Sequence, residues 1–236
     1  MIESLYKTIL CFHIVSGATA LISGLVVMAA PKAGTVHRKT GGLYFWSMTL
    51  VFITTLMMLA LKPTKENLWF LGAVGMVSYY QTFTGRFRVK KNFKTYTAGK
   101  WDWATLALAL TTGIACLVAA GFYGWQTDYF RMALFGFFAS IALVTAKEDF
   151  ALLRGNLPNE QKNWLPYHIG RMMGSYAATV TAFVVNAVPG FLPNETPMFV
   201  FLSLWIIPGV LVGTLGSRWQ KKQRILQPGR ILTNPN

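Results

Sequence analysis

The chain has 236 residues, of which 53% are hydrophobic, 14% aromatic and only 13% charged; that charged share is about half the usual one for a soluble domain, and it excludes both a solvated enzyme shell and a disordered chain. The charges are lopsided, 22 Lys and Arg against 8 Asp and Glu, for a formal net +14. Such a surplus requires either an acidic partner or a membrane that holds the basic residues on one side.

A helix that crosses a bilayer needs roughly 20 mostly apolar residues, and such stretches follow one another along this chain. In order they are Tyr6–Ala30, Gly42–Leu61, Leu68–Thr84, Trp103–Tyr123, Tyr129–Ala146, Pro166–Val188 and Met198–Leu215. Backbone amides in hydrocarbon must be bonded within their own segment or in a closed barrel. No stretch alternates with period two, so the expected fold class is all-α: a polytopic membrane protein, a bundle of seven transmembrane helices. The first stretch is read as a helix rather than a secretory signal, because Glu3 accompanies Lys7 before an apolar run too long for a signal core. The predicted organisation is a transmembrane domain over residues 1–217 and a basic cytoplasmic tail over 218–236.

Of the 22 basic residues, all but Lys7, Lys62, Lys65 and Arg131 fall on one side of that predicted bundle, in the segments containing Arg38, Arg88, Arg154 and Arg218. Lysine and arginine near span ends are retained in the cytoplasm, so the N-terminus is expected outside and the C-terminus inside. Because these charges are spread over loops, the expected partners are the lipid bilayer and its anionic headgroups, with no nucleic acid. A homo-oligomer or a membrane-complex partner stays open. The loop RFRVKKNFKTYTAGKWDW interleaves basic and aromatic residues and reads as a segment on the lipid interface, anchored by Phe93, Tyr96 and Trp101. Cys11 and Cys116 both fall inside spans and make no disulfide framework.

Polar residues are costly in lipid and turn towards the bundle interior. In the first span His13 shares a helical stripe with Gly17, Ala20 and Gly24, small residues that admit a close neighbour. His37 opens the second span, followed on its face by Gly41, Tyr44 and Met48; His168 opens the sixth, followed by Arg171, Ser175, Thr179, Ala182 and Asn186. Three chemistries fit. One is a haem b held by His37 and His168 as axial ligands on the cytoplasmic side, with Arg38 or Arg171 near a propionate and Tyr44 and Ser175 beside it. Another is a zinc site for a hydrolase, with His37, His168 and Asp149 or Glu148 as ligands. The third needs no cofactor: the stripe from His168 to Asn186 lines a path for a small molecule. Whether the protein is an enzyme is left open, since no P-loop, dinucleotide fingerprint, CxxC pair or nucleophile elbow is present.

The runs PKAGTVHRKTGGLYFWSM and WLPYHIGRMMGSYAATVTAFVVN resemble an uncharacterised bacterial family of multi-pass membrane proteins, a domain-of-unknown-function family with His-Arg-x-x-Gly and His-x-x-Arg-Met-x-Gly-Ser motifs. The matching positions here are His37, Arg38, His168, Arg171, Met172, Gly174 and Ser175. The resemblance implies a seven- or eight-helix protein of the bacterial inner membrane and carries no reaction with it.

Overall fold

A computed structural model describes residues 1–31, 34–90, 96–156, 164–193 and 195–226. It is all-α: α1 (Ile2–Ala29), α2 (Thr35–Leu61), α3 (Glu66–Phe87), a 3-10 turn (Arg88–Lys90), α4 (Lys100–Trp125), α5 (Tyr129–Leu153), α6 (Trp164–Ala187), a second 3-10 turn (Val188–Phe191) and α7 (Met198–Leu226). Each predicted span has its helix. Six of them are long and apolar enough to cross a membrane. The exception is α3, expected to span over Leu68–Thr84, and its burial explains the difference. Ser78, Gln81, Thr82 and Thr84 are all buried, and a helix enclosed by protein is relieved of the demand for apolar side chains that lipid imposes. α7 also outruns its prediction: the helix expected over Met198–Leu215 continues to Leu226, through the start of the basic tail. The anchor Phe93 and residues 227–236 lie outside the described residues.

The chain forms two compact units, Met1–Thr82 with Ser175–Gly209, and Phe83–Gly174 with Val210–Asn236. In the first, α1 and α2 are an antiparallel hairpin: Gly24 meets Tyr44, Gly41 meets Val27, and His13 Nδ1 lies 3.0 Å from Thr54 Oγ1. Numbers rise on one helix as they fall on the other. α3 runs back along α2 in the same sense, with Gly72 on Leu59, Gly75 on Thr55 and the Tyr79 ring stacked on Phe52 at 4.5 Å. The expected small-residue stripe on α1 is half realised, since Gly24 and Ala20 are packed whereas Gly17 has no atom near its missing side chain.

In the second unit α4 and α5 form a hairpin of the same kind, with Gly113 against Leu143 and Ala142, Tyr123 stacked on Phe135 at 5.5 Å, and Trp103 against Phe150. The link is tight. Thr127 adopts a left-handed φ of 60°, and Asp128 then caps α5 by accepting from Arg131 N at 3.0 Å, which satisfies one of the amides a helix start leaves unbonded. Further along, Gln220 Nε2 donates to Pro166 O at 2.7 Å and Met173 fills the space beside Gly216, which fastens the second half of α7 to the start of α6.

Polarity is inverted relative to a soluble protein. Phe12, Val15, Ile22 and Leu25 on α1 and Leu117, Val118 and Phe122 on α4 are exposed, while Ser16, Ser23, Ser47, Thr54 and Thr55 are buried. Exposed apolar surface on this scale needs a nonaqueous contact, which a bilayer supplies. Trp69, Trp101, Trp103 and Trp125 are exposed near helix ends, where an interfacial aromatic belt requires them.

Candidate functional site

The second unit buries a cluster of charges, contributed by four elements. Asp149 sits in the last turns of α5, Arg88 opens the 3-10 turn after α3, Tyr167 and Arg171 lie four residues apart and so on one face of α6, and Asp102 occupies the first turn of α4. Asp149 is 0% exposed, and Arg88 and Arg171 are each 2% exposed.

Every oxygen of Asp149 is answered. Arg88 Nη1 reaches Oδ2 at 2.7 Å; Arg171 Nη2 donates to Oδ1 at 2.7 Å, and the Tyr167 hydroxyl donates to the same oxygen at 2.9 Å. That hydroxyl accepts in turn from Arg88 Nη1 at 2.6 Å. Both guanidiniums also lie over the Tyr167 ring, 5.8 and 4.9 Å from its centroid, a placement that adds cation–π attraction. Each arginine has a second carboxylate nearby. Asp102 Oδ1 is 3.6 Å from Arg88 Nε with its side chain 16% exposed, and Glu148 Oε2 is 3.3 Å from Arg171 Nη2 with its side chain 62% exposed. Arg171 Nη2 also donates to Thr145 O at 3.0 Å.

The local fold explains why the acid and bases meet. Asp102 is held at the start of α4 by the Gly99 amide, which donates to its Oδ2 at 3.0 Å. Gly85 lets α3 approach α6 closely, since a Cβ there would come within 2.9 Å of Arg171 Cβ. Beside the cluster Tyr96 is partly buried, and burial first, then the hydrogen bond and charge of Asp102, push its phenol well above the ordinary tyrosine range, with Arg88 pulling the other way.

No family model, no curated protein and no solved structure matches this chain. Its own helices carry the assignment. The protein is a multi-pass membrane protein.

The expected site residues are distributed over both units. Asp149 and Arg171 are brought together as an ion pair, with Glu148 at its solvent side. Asp149, expected as a metal ligand, has both oxygens engaged by arginine and tyrosine, and among the described residues no three His, Cys, Asp or Glu side chains converge to hold a metal. Tyr44 and Ser175 meet in the first unit at 2.7 Å, within a buried hydroxyl network that includes Thr82 at 2.5 Å from Ser175 Oγ and Thr179 at 3.3 Å from the Tyr44 hydroxyl. Arg38 is exposed. His37 belongs to the first unit and His168 to the second. His37 Nδ1 donates to Val27 O at 3.2 Å and His168 Nδ1 to Gly85 O at 2.8 Å; a carbonyl can only accept, so the proton is on Nδ1 in both rings. His13 Nδ1 is tied to Thr54 Oγ1 at 3.0 Å, a hydroxyl that also lies within hydrogen-bonding reach of Leu50 O and Val51 O. On α6 the polar stripe is buried at Arg171, Ser175 and Thr179 but exposed at Asn186, whose amide turns back to Ala182 O.

Arg88, Tyr167 and Asp102 escaped the sequence reading. In the sequence Arg88 is one basic loop residue among many, and nothing there sets Tyr167 apart from the other aromatics near span ends. The available signal was Tyr167 and Arg171 at helical spacing, with an acid near the end of the preceding helix.

Proposed function

We propose that the protein moves a small polar solute across or into the membrane, and that the Arg88, Asp149, Arg171 and Tyr167 cluster is where solute is bound. The observation that carries this reading is a fully buried carboxylate between two buried arginines where the ends of α3, α4, α5 and α6 meet. Ionisable groups at such positions are costly, and in membrane proteins they mark solute, ion and proton paths. Hydrophobic side chains of equal volume would hold the same helices together at no greater cost. The exposed Glu148 beside Arg171 supplies a charged step from solvent to the buried pair.

The orientation we propose has the N-terminus outside and the C-terminus in the cytoplasm, supported by the one-sided distribution of lysine and arginine. It requires α3 to cross as well. Its 22 residues reach about 33 Å, the thickness of a hydrocarbon core, and its antiparallel course along α2 agrees with crossing.

Reconstituted proteoliposomes test both statements. Uptake of a panel of labelled anions, amino acids and sugars is expected to include a solute whose flux falls by at least tenfold in Arg171→Gln, while the variant inserts normally. A panel flux indifferent to Arg88, Asp149 and Arg171 would sink the reading. Maleimide labelling of Ser217→Cys in sealed cells is expected only after permeabilisation; labelling from outside would reverse the orientation.

A second reading, haem-associated redox chemistry, is favoured by the histidine tautomers. Nδ1–H donated to a backbone carbonyl is the arrangement that ligating histidines adopt, and Nε2 of His37 in the first unit or of His168 in the second would be the nitrogen to hold the iron. The purified protein would then show a Soret band lost in His168→Ala or His37→Ala. Colourless protein from haem-replete cells would overturn it.

A further inference from the structure

We infer that the solute of this site is a small monocarboxylate, that it takes the place now held by the Asp149 side chain, and that one proton enters with it. This rests on the transport reading above and names its solute class.

Asp149 is itself a carboxylate, and the cluster grips it as a receptor would. The two arginines do not share one oxygen: Arg88 Nη1 takes Oδ2 and Arg171 Nη2 takes Oδ1, both at 2.7 Å, with Tyr167 adding a donor to Oδ1 at 2.9 Å. Donors on both oxygens fix the spacing and plane of one carboxylate, whereas a single cation would accept any anion. The donors are also held independently of Asp149. Tyr167 supports both guanidiniums through its ring, Asp102 lies against Arg88 Nε, and Thr145 O and Glu148 hold Arg171. These supports hold both donors in place when a solute carboxylate stands in for that of Asp149.

Charge decides the rest. Around Asp149 the neighbours are Arg88 from the turn after α3, Asp102 from α4, Glu148 from α5, and Tyr167 and Arg171 from α6. Two cations already face three carboxylates, a net charge of −1, and a solute carboxylate added beside an ionised Asp149 would make it −2. A solute anion can enter only as Asp149 becomes neutral. One O–H bond forms on Asp149, the solute stays ionised between the arginines, and no other covalent bond changes. The pair moves as anion plus proton and carries no net charge.

The full-length protein in nanodiscs, in weak buffer with a pH indicator, tests this by titration with sodium acetate, lactate and benzoate, and separately with inorganic phosphate. At least one monocarboxylate is expected to bind saturably with uptake of about one proton per molecule bound. Arg171→Lys, which loses the forked donor, is expected to weaken that binding roughly ten- to a hundredfold. If that variant does not fold, Tyr167→Phe keeps the supporting ring and deletes one donor, for about a fivefold weakening. Phosphate bound in preference to every monocarboxylate would overturn the solute class, and binding without proton uptake would overturn the exchange with Asp149. No binding by the wild type, with acetate stabilising only Asp149→Ala, would make the cluster structural. Cluster-dependent flux of an uncharged solute would leave the transport reading standing and remove this one.

Discussion

Asp149→Ala is expected to destabilise the protein by about 3–5 kcal/mol, the range for removing one partner of a buried ion pair. The loss is large because of what stays behind. Arg88 and Arg171 are 2% exposed, and deleting the carboxylate strips from each its 2.7 Å counterion, which desolvated cations tolerate poorly. Asp149→Asn is expected to cost less, since its amide oxygen still accepts one hydrogen bond. The triple variant Arg88→Met, Asp149→Leu, Arg171→Met removes the three buried charges together and is expected to be as stable as wild type or more so, while losing any cluster-dependent flux. Denaturant titration in detergent, followed by near-UV signals, reads all three. A cluster that serves packing alone would give an active triple variant, and an Asp149→Ala cost under 1 kcal/mol would mean that water reaches the arginines.

Gly24→Ala is expected to destabilise by about 1–3 kcal/mol, the usual cost of overpacking. A methyl at that position would strike the Tyr176 ring and come within 3.2 Å of Tyr44 Cδ2. Neither ring can give way cheaply: the Tyr44 hydroxyl is bonded to Ser175 at 2.7 Å and the Tyr176 hydroxyl donates to Leu21 O at 3.1 Å. Seven residues earlier on the same helix, Gly17 has nothing within 4 Å of its missing Cβ. There alanine gains helix propensity, up to about 1 kcal/mol, and Gly17→Ala is expected to raise the unfolding midpoint slightly. Thermal unfolding of the two variants in one detergent is a direct comparison, and equal effects would mean that the hairpin is looser than its contacts indicate.

Helix positions were legible because lipid imposes a one-dimensional rule. A span must be apolar over its length, and six helices obey it. The rule weakens where protein encloses a helix, and α3 shows this: its Ser78, Gln81 and Thr82 are buried against other helices, so hydropathy under-reads it. The stripe on α6 was legible for the same kind of reason, because spacings of three and four put Arg171, Ser175 and Thr179 on one face of any helix. Which partners that face meets was not. Ser175 bonds Tyr44 from the second helix and Thr82 from the third, while Arg171 bonds Asp149 from the fifth, and helical periodicity holds no information about which helices become neighbours.

Composition and hydropathy by themselves determined the solvent of this protein and the places of the six helices that obey the lipid rule, because burial in lipid constrains each segment separately. They also singled out Asp149, Arg171, Tyr44 and Ser175 as polar residues that must find company. Only the tertiary structure decided that company. It enclosed Asp149 between Arg88 and Arg171, over the ring of a tyrosine that sequence could not distinguish from an interfacial anchor. The reason is that a buried charge is satisfied by geometry: its partners come from helices distant in the chain, and only packing brings their side chains within hydrogen-bonding reach.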